Sequence, residues 1–266
     1  MHSNRIVNGI PAIEEAWLWM VSLIYSDSSE TTYRHFCGGT LIHSNWVVTA
    51  AHCVVSQSAL NIEVIVNTTS LEGGTGERIG VNTIIVHPNY NAYTYDSDIA
   101  LIKLKKSAPA SPIQRISSNI DLTDKMAIVT GWGKLSEDSD QYSTILYQAD
   151  VPIVSDRSCK EAYSVSDISE NMICAGYENG LKDSCKGDSG GPLVVNDQGV
   201  WKIVGIVSWS EGCAKPGFYG VYTRISQFND FIESYVNPVS VHGDIDQNGV
   251  VNIIDVLMIL NHAAIF

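Results

Sequence analysis

The stretch KDSCKGDSGGP, residues 182–192, sets one serine nucleophile candidate, Ser189, among three glycines. Cys185 lies four positions ahead of it, and two aspartates, Asp183 and Asp188, stand close by. A serine hydroxyl is a poor nucleophile. It becomes a reacting atom only with a general base in hydrogen-bond reach, a carboxylate behind that base, and donors for the oxyanion. Whether Ser189 is a loop residue or a nucleophile therefore depends on the rest of the chain. The same decision fixes what the two aspartates do.

Two stretches offer the missing partners. His52 ends the apolar run VVTAAHC and is followed by Cys53. A disulfide there would fix the backbone of the histidine; without other signals, a histidine so placed is an ordinary core or loop residue. Asp98 stands in DSDIALIKL, at the entry to a strongly apolar strand. A carboxylate entering a buried strand needs a partner, because an unpaired buried charge is costly. Asp96, two positions earlier, competes for the same role.

The 266 residues suffice for one large domain, or for one domain with a small module. The net charge of −13 opposes binding to nucleic acid or anionic lipid and favours cationic partners. No run of about 20 apolar residues is present, so no transmembrane helix is expected. Six cysteines at wide spacing, with no C-x-x-C pair, point to three disulfides and an oxidising compartment. Counting alone leaves about 15 ways of pairing them. Residues 1–10, MHSNRIVNGI, lack the apolar run of an export leader, so secretion implies a leader not seen in this sequence.

Short runs rich in Val, Ile, Trp and Tyr, such as NIEVIVNTT and WKIVGIVSW, alternate with clusters of Gly, Asn, Asp and Ser. That texture belongs to all-β barrels and sandwiches. Helical spacing occurs over 224–236, with Ser226 as its N-cap, and a short helix is expected over 155–163. At 237–242 the texture changes to a linker, NPVSVH.

Nine ordered stretches resemble the trypsin-like, chymotrypsin-fold serine proteases: RIVNG, CGGTLIHSNWVVTAAHC, HPNYN, DSDIALIKL, GWG, MICAG, KDSCKGDSGGPL, IVSW and GVYTRI. The resemblance implies two six-stranded antiparallel Greek-key barrels and a C-terminal helix, with residues 1–5 an activation remnant and 6–236 the protease domain. It implies Ser189 as nucleophile, His52 as general base, Asp98 as its orienting carboxylate, and the N–H groups of Gly187 and Ser189 as oxyanion donors. It places Asp183 at the floor of the specificity pocket, with Ser184, Ser208, Trp209, Ser210 and Gly220 around it. The substrates implied are proteins or peptides cut after Arg or Lys, with no cofactor for catalysis. Ser210 departs from the family pattern, which has glycine there, and its hydroxymethyl group is expected to narrow the pocket mouth or to alter contacts with extended substrate. Cleavage between Arg5 and Ile6 would free an ammonium for Asp188, so the chain as written is a zymogen. The implied disulfides are Cys37–Cys53, Cys159–Cys174 and Cys185–Cys213, each worth about 2–4 kcal/mol.

The tail, GDIDQNGVVNIIDVLMIL, resembles one calcium-loop repeat of a dockerin module over 243–266. Asp244, Asp246, Asn248, Asn252 and Asp255 would supply oxygen ligands, and Val250 its carbonyl. The oxygen set suits calcium rather than zinc. An acidic flexible tail is the simpler alternative. Dockerins need two repeats and one is present here, so either the sequence stops short of the second or the apolar helix after the loop packs on the protease body or on another protein. Two other functions stand as alternatives: a non-catalytic binding protein on the same fold, which usually lacks a triad member where none is missing here, and a calcium-dependent adhesion or docking module that carries a protease.

Overall fold

The computed structural model describes residues 8–13, 16–28, 34–73, 76–117, 120–134, 141–164, 167–237 and 253. The chain divides into two compact units, Met1–Gln227 and Phe228–Phe266.

The first unit opens with a short strand, β1 (Ile10–Pro11). Six strands follow: β2 (Met20–Tyr25), β3 (His35–His43), β4 (Trp46–Thr49), β5 (Ile62–Val66), β6 (Glu77–Val86) and β7 (Ala100–Leu104). They close into a barrel in the order β2-β3-β4-β7-β6-β5, with every neighbouring pair antiparallel. The core residues of β2 (MVSLIY) and β4 (WVVT) are buried almost without interruption. That explains why these stretches read as continuous apolar runs rather than alternating ones. A four-residue helix, α1 (Ala51–Val54), leaves the barrel directly after β4.

After β8 (Gln114–Arg115) come β9 (Met126–Gly131), β10 (Tyr147–Pro152), β11 (Met172–Ala175), β12 (Pro192–Asp197), β13 (Val200–Trp209) and β14 (Gly220–Arg224). Their hydrogen-bonded order is β10-β9-β12-β13-β14-β11, with β1 added beside β10 and β8 beside β13. A single bridge, Ile153 to Ala175, joins the two ends of this six-strand run. Val154 N–H donates to Cys174 O and Gly176 N–H to Pro152 O, both at 2.9 Å. The second barrel is thus closed by a few bonds at one corner rather than by a full strand pair. In β10 (YQADVP) the alternation is visible, with Tyr147, Ala149 and Val151 buried.

α2 (Asp156–Ala162) forms where expected, and the Ser155 side chain caps it by accepting from Ser158 N–H. The C-terminal helix differs from expectation. Arg224 still pairs with Gly205 in the sheet, so the chain cannot turn helical there. It first makes a 3₁₀ turn over Ile225–Phe228, and α3 runs over Asn229–Val236. Ser226 sits inside the turn and does not cap α3. Of the linker expected over 237–242, only Asn237 is among the described residues.

Candidate active site

The turn from β4 into α1 carries His52. Its neighbour Cys53 is bridged to Cys37 of β3, with Cα atoms 6.2 Å apart. The bridge ties the short helix back to the barrel wall it has just left. Asp98 lies immediately before Ile99 and β7 and is fully buried.

Its carboxylate is satisfied from several directions. Oδ1 accepts from His52 N–H at 2.8 Å, and Oδ2 lies 2.7 Å from His52 Nδ1. Ser208 Oγ donates to Oδ2 at 2.5 Å, and Thr223 Oγ1 donates to the Asp98 carbonyl at 2.7 Å. A carboxylate can only accept, so Nδ1 carries the proton of the neutral ring and Nε2 keeps its lone pair. Asp98, rather than Asp96, therefore stands beside the imidazole, where the family resemblance places it.

Ser208 reaches Asp98 because of an irregularity in β13. The register with β14 pairs Val207 with Tyr222 and Trp209 with Val221, leaving Ser208 as the extra residue. A bulge of this kind re-aims one side chain, here toward the carboxylate.

Ser189 lies between β11 and β12, with its carbonyl accepting from Gly38 N–H at 2.7 Å. Gly187 has φ +97° and Gly190 φ +80°, conformations that favour glycine. A Cβ on Gly190 would overlap Thr49 Oγ1, and one on Gly187 would collide with the Tyr142 ring.

The Gly187 carbonyl lies 2.9 Å from His35 Nε2, and His35 Nδ1 lies 2.8 Å from Ser22 Oγ. Burial pushes the His35 pKa down to about 4, so the ring is neutral. Nε2–H donates to the carbonyl and Nδ1 accepts from the serine. Neither Ser22 nor His35 carries a recognisable motif in the sequence. Their role emerges only when β2 and β3 pair.

Asp183 is 5 % exposed. Oδ2 accepts from Ala214 N–H at 3.0 Å, while Oδ1 has no hydrogen-bond partner. Burial pushes its pKa up to about 7, and hydrogen bonds from Ala214 and Ser184 offset part of the shift. A Cβ on Gly220 would come within 2.8 Å of Oδ1, so the glycine keeps the space beside that oxygen free.

A cavity of about 220 Å³ is lined by Ser184, Ser189, Trp209, Ser210 and the Cys185–Cys213 pair, among others. The Cα atoms of that disulfide are 5.2 Å apart, and it joins the Ser189 loop to the facing wall. Ser210 Oγ donates to Gly212 O at 2.5 Å, which folds the hydroxyl back against its own loop. The third bridge, Cys159–Cys174, links α2 to β11 within a buried cluster against which Trp209 packs.

Asp188 is fully buried and accepts from Gly133 N–H at 2.8 Å and Cys185 N–H at 2.9 Å. Gly131 and Gly133 leave room for it, since a Cβ on either would overlap the carboxyl group. No cation pairs with Asp188 among the described residues. Burial pushes its pKa up to about 6. Raised above the unfolded value, it contributes stability that is present below about pH 4 and lost as pH rises through about 6.

Asp188→Asn should therefore flatten the fall in stability of the uncleaved chain between pH 4 and 7, by about 3 kcal/mol. Urea denaturation of both proteins at the two pH values measures this. Equal slopes would contradict the buried, unpaired carboxylate.

Arg5 and Ile6 lie outside the described residues, as do the expected calcium ligands Asp244, Asp246, Asn248, Val250, Asn252 and Asp255. No helix among the described residues is long and apolar enough to cross a membrane.

The family model described as Trypsin matches residues 6–232. The chain is 42% identical to a protein named cationic trypsin-3 from Rattus norvegicus, covering 81% of this chain and 85% of the relative. It is 42% identical to trypsin-3 of Salmo salar, over 80% of this chain and 87% of that one. Trypsin eta of Drosophila erecta is 38% identical, over 88% and 90%. With the family model matching residues 6–232 and relatives 42% identical over most of their length, the chain belongs to the trypsin family and is a trypsin-like serine endopeptidase.

Proposed function

We propose that the protein cleaves peptide bonds after Arg or Lys by transferring the acyl group to Ser189. Ser189 Oγ attacks the scissile carbonyl while His52 Nε2 takes its proton. When the tetrahedral adduct collapses, His52 gives that proton to the departing amine. A water molecule, deprotonated by the same nitrogen, then attacks the acyl carbonyl, and His52 returns that proton to Ser189 Oγ as the carboxylic product leaves. Asp98 transfers no proton; it holds the tautomer of His52 and stabilises the imidazolium. The N–H groups of Gly187 and Ser189 bind the developing oxyanion.

The observation that carries the basic preference is the unpartnered, buried Oδ1 of Asp183. A carboxylate in that setting is costly to ionise unless a cation comes to it. An arginine or lysine side chain supplies that cation, and an uncharged side chain leaves the oxygen unpaired.

The same physics supports a zymogen. Asp188 is buried with no cation beside it among the described residues. Cleavage after Arg5 creates an ammonium on Ile6 that can pair with it, and a buried pair of this kind works as a switch. Three disulfides favour an oxidising, extracellular setting.

The test is an assay of arginyl, lysyl and phenylalanyl amides before and after cleavage at Arg5–Ile6. Expected are at least a hundredfold gain on cleavage and at least a hundredfold preference for the two basic substrates. Full activity with residues 1–5 attached would refute the switch. Equal turnover of the phenylalanyl amide would refute the basic pocket.

A further inference from the structure

The segment that leads from β11 into Asp183 carries an ion pair that the proposed chemistry does not use. Lys182 Nζ lies 2.5 Å from Asp150 Oδ1, and Tyr177 Oη donates to Asp150 Oδ2 at 3.0 Å. Asp150 belongs to β10, so the pair ties this segment to a strand outside it. The Lys182 side chain is 24 % exposed and that of Asp150 46 %. Partial burial works against the charge on Asp150, but the bonds from Lys182 and Tyr177 outweigh it and hold its pKa below the ordinary value. The pair is therefore ionised on both sides.

The same segment packs against the loop that bonds to Asp183. Glu178 O accepts from Gly217 N–H at 2.8 Å. Gly180 has φ +68°, and a Cβ on it would overlap the Ala214 carbonyl. Ala214 N–H in turn donates to Asp183 Oδ2. Lys182 and Asp183 are consecutive, so their Cα atoms are about 3.8 Å apart. One residue before the carboxylate proposed to meet the substrate's cation, the chain thus places a cation of its own. Uncompensated, that charge would repel an arriving arginine or lysine side chain and weaken the pull of Asp183 on it. Asp150 compensates it at contact distance.

We propose that Asp150 is a positioning residue that acts through Lys182. It holds and neutralises the Lys182 ammonium, so that Asp183 attracts a basic side chain at full strength. This rests on the proposed cleavage after Arg or Lys.

The test is calorimetric binding of benzamidinium to the Arg5-cleaved enzyme. Asp150→Asn keeps an acceptor for Tyr177 and loses the charge. Its dissociation constant should rise about fivefold at low salt, and the difference should shrink to about twofold or less at about 0.5 M sodium chloride. Adding Lys182→Met to Asp150→Asn should restore affinity to within about twofold of the wild type, a coupling expected only of interacting residues. Lys182→Met alone should bind the probe at least as tightly as the wild type, a reading that stands even if Asp150→Asn folds poorly. Phenylmethanesulfonyl fluoride, which is uncharged, should inactivate Ser189 in every variant at a rate within about twofold of the wild type.

An Asp150→Asn enzyme with wild-type affinity for benzamidinium overturns the proposal. So does a loss that Lys182→Met leaves unrestored, or one matched by slower inactivation of Ser189, since either makes the pair a structural tie only. Weaker binding in Lys182→Met alone overturns it as well. A wild type that binds benzamidinium no better than the neutral benzamide overturns the basic-pocket reading, and this one with it.

Discussion

Ser189→Ala, cleaved after Arg5, is expected to keep its fold and to lose about 10⁶-fold in kcat. The substitution removes one oxygen and leaves the backbone free to keep its contacts. The Ser189 carbonyl still accepts from Gly38 N–H, and the glycines at 187 and 190 still hold the loop in its left-handed turns. The donors proposed for the oxyanion belong to the main chain and survive. A residual rate of about 10³–10⁴ over the uncatalysed reaction should therefore remain. Replacing His52 with Ala should cost about as much, and making both changes together little more, if the two groups act on one proton as proposed. Single-turnover kinetics with an arginyl ester, beside a thermal melt of each variant, measure both quantities. Turnover within tenfold of the wild type at an unchanged melting temperature would exclude Ser189 as the nucleophile.

Asp183→Asn should lower kcat/KM for arginyl and lysyl substrates by about 10²–10³-fold, as expected when one partner of a desolvated charge pair is removed. Cleavage after apolar residues should not fall with it. The physical signature lies in the pH dependence. Burial raises the Asp183 pKa to about 7, so the empty site is largely protonated below that pH. A cation entering the pocket must displace that proton.

Affinity for a small amidinium probe should therefore fall as pH drops below about 7, and in Asp183→Asn it should be weak and nearly flat with pH. The stability of the empty enzyme runs the other way. A carboxylate with a raised folded pKa contributes stability below its unfolded value, near 4, and loses it as pH rises through about 7. The bound probe restores it. Calorimetric titration of wild type and variant from pH 5 to 8 separates these trends. A probe affinity independent of pH in the wild type would show that Asp183 is not what the cation meets.

Ser210 illustrates how far a residue type can be read without its geometry. The sequence marks it as a departure, a side chain where glycine is usual, and the expectation is a narrowed pocket mouth or altered contacts with extended substrate. In the structure its hydroxyl is turned back onto Gly212 O. Only the direction of that bond, set by the turn after β13, tells where the group goes.

The sequence by itself determined the class of fold, through short β-rich runs broken by turn residues. It also determined which residue types were available: one serine among glycines, a histidine beside a cysteine, and aspartates at a strand entry and near the serine. These are local facts, because alternation, capping and glycine turns act over a few residues. Local composition alone left Asp96 and Asp98 as rivals until the family resemblance picked Asp98, and nothing in the sequence singled out Ser22 or His35.

The roles of Ser22 and His35, and the bonds that hold Asp98, were decided only by the tertiary structure. The bonds that single out Asp98 span 46 residues to His52, 110 to Ser208 and 125 to Thr223. Such contacts have no local signature. They exist because both barrels close, and closure fixes which loops meet. The raised pKa values of Asp183 and Asp188 have the same origin: a carboxylate is desolvated by everything packed around it, and that packing belongs to the whole fold rather than to any one segment.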